Sequence, residues 1–179
     1  MPPTPRAGRA LAAGLCLALA AALAAPAASA QSIGAAPPRV GVGFDAVTAF
    51  YGQDVVPDGP SLGVRGRVAL PINADVSVAA SLGVGAHVFG GSSDARYVLN
   101  PQTSVIVTLP GTGSVRYLLG GFGGFLPLSD GGGGPSIHAG IGTAFPLSVT
   151  SVFLEFDPSL IIGEDQTVPV LAARAGVIF

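Results

Sequence analysis

Lysine and tryptophan are absent from this chain, and cysteine occurs once, at Cys16. All eight basic residues are therefore arginines, and charged residues make up only 10% of the total. So few scattered bases exclude a nucleic-acid surface, which needs a clustered basic patch. Beyond Cys16 there is no thiol, which excludes disulfides, thiolate metal sites and cysteine nucleophiles from the body of the protein. No group of His, Cys and acids has compact ligand spacing, so neither a metal nor any other cofactor is expected. After Ala30 there is also no run of 18 apolar residues to make a helical membrane span. Yet 49% of the residues are apolar. Such a chain must hide its apolar surface in another way, and a membrane barrel or a soluble two-layer sandwich would each do so.

The first segment carries Arg6 and Arg9, an apolar stretch from Leu11 to Ala25, and the small residues Ala28-Ser29-Ala30 before Gln31. This order predicts a secretory signal peptide over residues 1–30, too short and wrongly flanked for a membrane anchor. Cys16 lies inside its apolar stretch after Leu15, where a lipoprotein cleavage site needs a small residue, so it is read as packing in a discarded leader. Residues 31–38 form a short Ala/Pro-rich lead-in, and 39–179 a single domain. Losing Arg6 and Arg9 leaves six arginines against ten acids, a net charge of −4.

What the chain has instead is alternation. From Thr167 to Phe179, one parity holds Leu171, Ala173, Ala175, Val177 and Phe179, and the other Val170, Ala172, Arg174, Gly176 and Ile178. A period of two is the mark of a strand with different environments on its two faces. The clearest case is Val76, Val78, Ala80, Leu82, Val84, Ala86 and Val88 alternating with Ser77, Ala79, Ser81, Gly83, Gly85 and His87. Eight such segments are predicted: 39–51, 61–70, 75–89, 95–109, 114–126, 135–145, 150–162 and 167–179. Their connections alternate too. Short ones open on an apolar residue and proline (Leu70-Pro71, Leu109-Pro110, Phe145-Pro146), while the others are longer, glycine-rich and acidic. The less apolar face is mostly Gly, Ala and Ser, which suits the crowded interior of an eight-stranded barrel better than a water-facing surface. The fold class is all-β, an eight-stranded antiparallel up-and-down transmembrane barrel. The competing fold is a soluble periplasmic β-sandwich or lipocalin-like binding protein.

The leader, the even strand count, the alternation of turn lengths and the final strand ending on Phe179 together resemble the small eight-stranded outer-membrane barrels of the OmpX and OmpA-barrel type. The resemblance covers Arg39 to Phe179. It implies a bacterial outer-membrane location with the short turns in the periplasm, contact with outer-membrane lipids, and a monomer. It also implies an assembly signal at Phe179, read by the barrel-insertion machinery. The absence of tryptophan and lysine departs from that type and leaves a sparse aromatic girdle of Phe50, Tyr97, Tyr117, Phe145, Phe156 and Phe179.

Candidate chemistry lies in the interior. Pairing Ile162 with Thr167 sets Glu155 opposite Arg174, and pairing Tyr51 with Ser61 sets Asp45 opposite Arg67. Arg65 and Arg116 are expected in the same compartment, giving a lumen ionic network of Asp45, Arg65, Arg67, Arg116, Glu155 and Arg174. Such a network serves as a structural plug or, alternatively, as the selectivity element of a narrow pore for ions or small solutes. His87 and His138 are expected as polar groups at the loop-side rim. A lipid-modifying enzyme would need one of them, with Ser136 or an acid, at the lipid-facing edge. The loop acids Asp54, Asp58, Asp94, Asp130, Glu164 and Asp165 are read as solvating charges. The function expected is a non-enzymatic envelope barrel, structural or surface-interacting.

Overall fold

The computed structural model describes residues 37–51, 56–87, 96–128, 133–163 and 166–179. The predicted leader, most of the lead-in, the loop acids other than Asp58, and the side chain of His87 lie outside the described residues; Asp58 pairs with Ala49 within β2, and its side chain too lies outside them. No helix long and apolar enough to cross a membrane occurs among them, which says nothing against crossing by strands.

The strands are β1 (Arg39–Tyr51), β2 (Val56–Pro71), β3 (Val76–His87), β4 (Arg96–Leu109), β5 (Val115–Pro127), β6 (Gly134–Pro146), β7 (Ser151–Phe156), β8 (Ser159–Ile162) and β9 (Thr167–Ile178). Each pairs antiparallel with the next along the barrel wall, and β1 pairs with β9 from Gly41↔Ile178 to Ala49↔Val170, so the sheet closes. β7 and β8 are two halves of one stave. Both pair with β6 and β9 in an unbroken register, and the interruption falls at Asp157-Pro158, where proline has no N–H to give the ladder. The barrel therefore has eight staves, as the alternation predicted. Closure removes the open edges that would leave backbone groups unpaired in lipid.

Local chemistry accounts for the turns and the one break in a ladder. In the β2–β3 turn the Asn73 side-chain oxygen accepts from the N–H groups of Asp75 and Val76, at 2.9 and 2.8 Å. In the β4–β5 turn Gly113 has φ of +90°, which a side chain would resist. Pro101 sits within β4, and the β4–β5 ladder skips it and Asn100. The Asn100 side-chain amide donates instead to the Gly124 carbonyl at 2.8 Å, so the carbonyl is not left orphaned.

Alternate residues face opposite ways. Val42, Phe44, Val64, Leu82, Val105, Phe122, Ile141, Leu154 and Leu171 are exposed on the outside, Phe44 at 73%. An uncharged apolar belt of this kind around a closed sheet is stable against lipid and costly against water. The inside is packed by pairing large side chains with glycines. A Cβ on Gly142 would collide with the Tyr117 ring, one on Gly83 would stand 2.6 Å from the Arg65 guanidinium, and one on Gly176 2.6 Å from the Phe153 ring. These glycines hold the space that the bulky inward residues occupy.

Two expectations change. β1 and β2 pair through Tyr51↔Val56, so Asp45 faces Gly63 and Arg67 faces Gly41. The predicted register slips by four because Val56, Pro57 and Asp58, in a stretch that reads as loop, pair with β1. On β5 the inward parity is Tyr117 and Leu119, both buried, and Arg116 is exposed on the outer parity with Leu118 and Phe122. Tyr117 therefore leaves the girdle, and Arg116 leaves the lumen.

Candidate functional site

Across the middle of the barrel runs a belt of ionised and polar side chains from seven of the eight staves. The Arg65 Nε–H donates to Asp45 Oδ2 at 2.8 Å, joining β2 to β1. Its Nη1 donates to Ser81 Oγ at 3.0 Å and Gln102 Oε1 at 3.1 Å, reaching β3 and β4. Arg67 donates to Glu155 Oε2 at 2.7 Å, spanning from β2 to β7, and its guanidinium lies 4.9 Å from the centre of the Phe153 ring. Arg174 on β9 donates to Asp157 Oδ2 at 2.5 Å and to Gln102 Oε1 at 3.1 Å. It also stands 3.5 Å from Asp45 and 3.8 Å from Glu155. Gln102 thus receives from both Arg65 and Arg174, and ties the two halves of the belt together.

His138 extends the belt on β6. Its Nδ1 lies 2.9 Å from Asp157 Oδ1, and its Nε2 lies 3.3 Å from Ser104 Oγ. A carboxylate accepts only, so Nδ1 carries a proton toward Asp157. Ser104 and His138 both stand beside Gly121 of the intervening strand β5, and no side chain at Gly121 separates them. The order Ser–His–Asp is that of a hydrolase relay, but the surroundings are those of a structural bridge. Asp157 is shared with Arg174, Nε2 is also 3.4 Å from the Thr103 carbonyl, and the His138 and Asp157 side chains are 0% exposed. A nucleophile needs room for a substrate beside it, and Ser104 is itself only 7% exposed.

Three carboxylates (Asp45, Glu155, Asp157) meet three guanidiniums (Arg65, Arg67, Arg174), so the acids and arginines of the belt balance. Apolar groups cover it on both sides. Toward the loops lie Ala49, Ile161, Val168 and Val170 with Val47 and Phe125; toward the turns lie Tyr117, Leu119, Ala144 and Phe153 with Ile106 and Ile178. A water-filled passage would leave its lining accessible, yet Asp45, Arg65, Gln102, Glu155 and Arg174 are all buried.

Five of the six residues expected in the network are therefore in contact with it: Asp45, Arg65, Arg67, Glu155 and Arg174. Arg116 is not. The structure adds Asp157, Ser81, Asn100 and Gln102, each of which stood on the less apolar parity of its strand. His138 is in the belt and not at the rim. His87 pairs through its backbone with Ser61 and Arg96. Phe179 is exposed, its N–H donating to the Val40 carbonyl at 2.8 Å where the sheet closes.

No family model and no curated protein matches the chain. Solved structures do match. Neisserial surface protein A superposes with a TM-score of 0.67 at 13% identity, over 81% of this chain and 97% of that one. Ail, the attachment invasion locus protein of Yersinia pestis, superposes with a TM-score of 0.54 at 16% identity, over 79% and 97%. The same protein in complex with the heparin analogue sucrose octasulfate gives 0.52 at 16% identity, over 79% and 97%. At these identities the likeness is one of fold: this chain is a closed eight-stranded antiparallel barrel built like those small bacterial surface barrels.

Proposed function

We propose that the protein is a non-enzymatic outer-membrane barrel of the bacterial envelope, a rigid scaffold that holds its four loop-side connections at the cell surface. The observation that carries this is the charge-balanced ionic belt, buried between two apolar layers inside a wall that is apolar outside. A wall of that kind belongs in lipid, and a lumen so filled acts as a core. The narrow-pore reading is disfavoured on the same ground, since a selective pore needs an accessible lining with a field of one sign. The heparin analogue bound to Ail does not carry over, because the loop-side connections between the strands hold the acids Asp54, Asp94, Asp130, Glu164 and Asp165 and no base.

In this reading residues 1–30 are a cleaved leader, the barrel is monomeric, and Phe179 closes the strand that the insertion machinery recognises. N-terminal sequencing of the protein from the outer-membrane fraction should begin at Gln31. Planar-bilayer recording on protein whose gel mobility shifts on boiling is the test of function: silent bilayers are expected, and discrete reproducible conductance steps would overturn the packed-lumen reading in favour of the pore.

A further inference from the structure

Arg116 lies on the outer parity of β5 at the turn-side end, between Leu109 of β4 and Thr143 of β6 in the register. It is exposed, and no ion pair among the described residues includes it. An arginine on the lipid-facing side of a barrel has to find an anion or water at the edge of the hydrocarbon. Its height on the wall is consistent with that edge. From Arg116 to Leu126 the outward residues of β5 are otherwise uncharged: Leu118, Gly120, Phe122, Gly124 and Leu126. Ten residues of a strand tilted by about 45° rise about 23 Å along the barrel axis, close to the apolar band of about 25 Å that such barrels present.

The turn end offers a second, independent observation. Its tips are apolar and exposed: Ile72 at 65%, Leu147 at 59% and Val149 at 87%. Phe145, outward on β6 beside Thr143, is also exposed. Apolar tips held in bulk water gain nothing, whereas the headgroup layer of a bilayer accepts them. The other two charges described at this end lie elsewhere. Asp75 is on the β2–β3 turn, and Arg39 begins β1 beside the C-terminal residue, whose N–H bonds Val40.

We propose that Arg116 binds the phosphate of a phospholipid headgroup in the leaflet on the turn side, and that this contact sets how deep the barrel sits. The inference rests on the membrane-barrel reading and adds to it a specific residue, ligand and level. Thr143 stands beside Arg116 in the register, and Phe145, two residues nearer the turn, lies on the headgroup side of it. The guanidinium offers a phosphate two parallel N–H donors, which a neutral side chain cannot replace.

The test uses a nitroxide at Leu118→Cys in a Cys16→Ser background, in vesicles of phosphatidylethanolamine and phosphatidylglycerol, with depth read from collisions with oxygen and a water-soluble nickel complex. With Arg116 present the label should lie just inside the hydrocarbon. Arg116→Lys should keep it there. Arg116→Leu should let the apolar wall lengthen by one outward position and carry the label up to about 5 Å deeper. An inserted, heat-modifiable Arg116→Leu barrel with unchanged label depth would overturn the proposal and leave the barrel reading intact. Failure of the unsubstituted protein to insert would overturn both. If Arg116→Leu does not fold, native mass spectrometry of Arg116→Gln decides the matter: loss of a phospholipid that the unsubstituted barrel retains supports the contact, and equal retention refutes it.

Discussion

Replacing Arg174 with methionine keeps most of the side-chain volume and removes the one charge that touches Asp157, Gln102, Asp45 and Glu155 together. Asp45 keeps Arg65 and Glu155 keeps Arg67, but Asp157, 0% exposed, is left with His138 alone. Breaking a buried pair by deleting one partner costs about 3–5 kcal/mol, because the remaining charge has lost its compensation in a medium of low polarity. The folded-to-unfolded ratio should fall by about two to three and a half powers of ten at fixed denaturant. The assay is equilibrium unfolding by urea in lipid vesicles, followed by the gel-mobility shift between folded and unfolded forms. Asp157→Asn in the same chain should recover part of the loss, since the introduced amide oxygen can still accept from His138 and no unpaired carboxylate remains. A double-mutant cycle over Arg174 and Asp157 therefore predicts a coupling well above the roughly 1 kcal/mol ceiling of exposed pairs. A single-mutant loss under about 1 kcal/mol, with no coupling, would mean that water reaches the belt and that the packed-lumen argument is wrong.

Other substitutions probe other parts of the structure. Gly142→Leu puts atoms where the Tyr117 ring stands and should destabilise by about 1–3 kcal/mol, with Tyr117→Ala in the same chain relieving much of it; thermal midpoints of the gel shift would show both. His138→Ala should cost about 1–3 kcal/mol by taking a partner from Asp157, while lipid and ester hydrolysis by the unsubstituted protein stays at background. Turnover that disappeared with this substitution would make the Ser104–His138–Asp157 row catalytic after all. Phe44→Arg places a charge on the outer wall near mid-height and should cost about 2–4 kcal/mol in vesicles. A neutral outcome would remove Phe44 from the lipid-facing surface.

Most of the architecture was legible because alternation is a direct record of two environments. From the sequence alone it placed Glu155 opposite Arg174 and put Ser81, Gln102, Ser104 and Asp157 on the interior parity. It failed on β5, where Tyr117 and Leu119 face in while Leu118 and Phe122 face out, so both parities look apolar. The missing signal was complementarity: Gly142 on the next strand makes room for an inward Tyr117, just as Gly43 and Gly176 make room for Phe153. The β1–β2 register failed for a different reason. Val56, Pro57 and Asp58 fall in a stretch that reads as a loop by composition, yet they pair with Tyr51, Phe50 and Ala49, and a bulge that sets Gly59 and Pro60 against Thr48 absorbs one residue. Bulges depend on pairing partners that a single strand does not display. The ionic belt was half legible for the same cause, since parity names the compartment while the contacts within it depend on register.

The most direct measurement of the central claim is a nitroxide scan along β9, one cysteine at a time from Val170 to Val177. Labels at Leu171, Ala173, Ala175 and Val177 should show high oxygen accessibility and little access to a water-soluble quencher. Those at Val170, Ala172, Arg174 and Gly176 should be reached poorly by either. That period of two, with lipid on one side and a packed core on the other, is what a membrane barrel with a filled lumen requires. Quencher access at alternate positions would contradict it. Water at Leu171 to Val177 would point to a soluble barrel, and water at the Arg174 parity to an open pore.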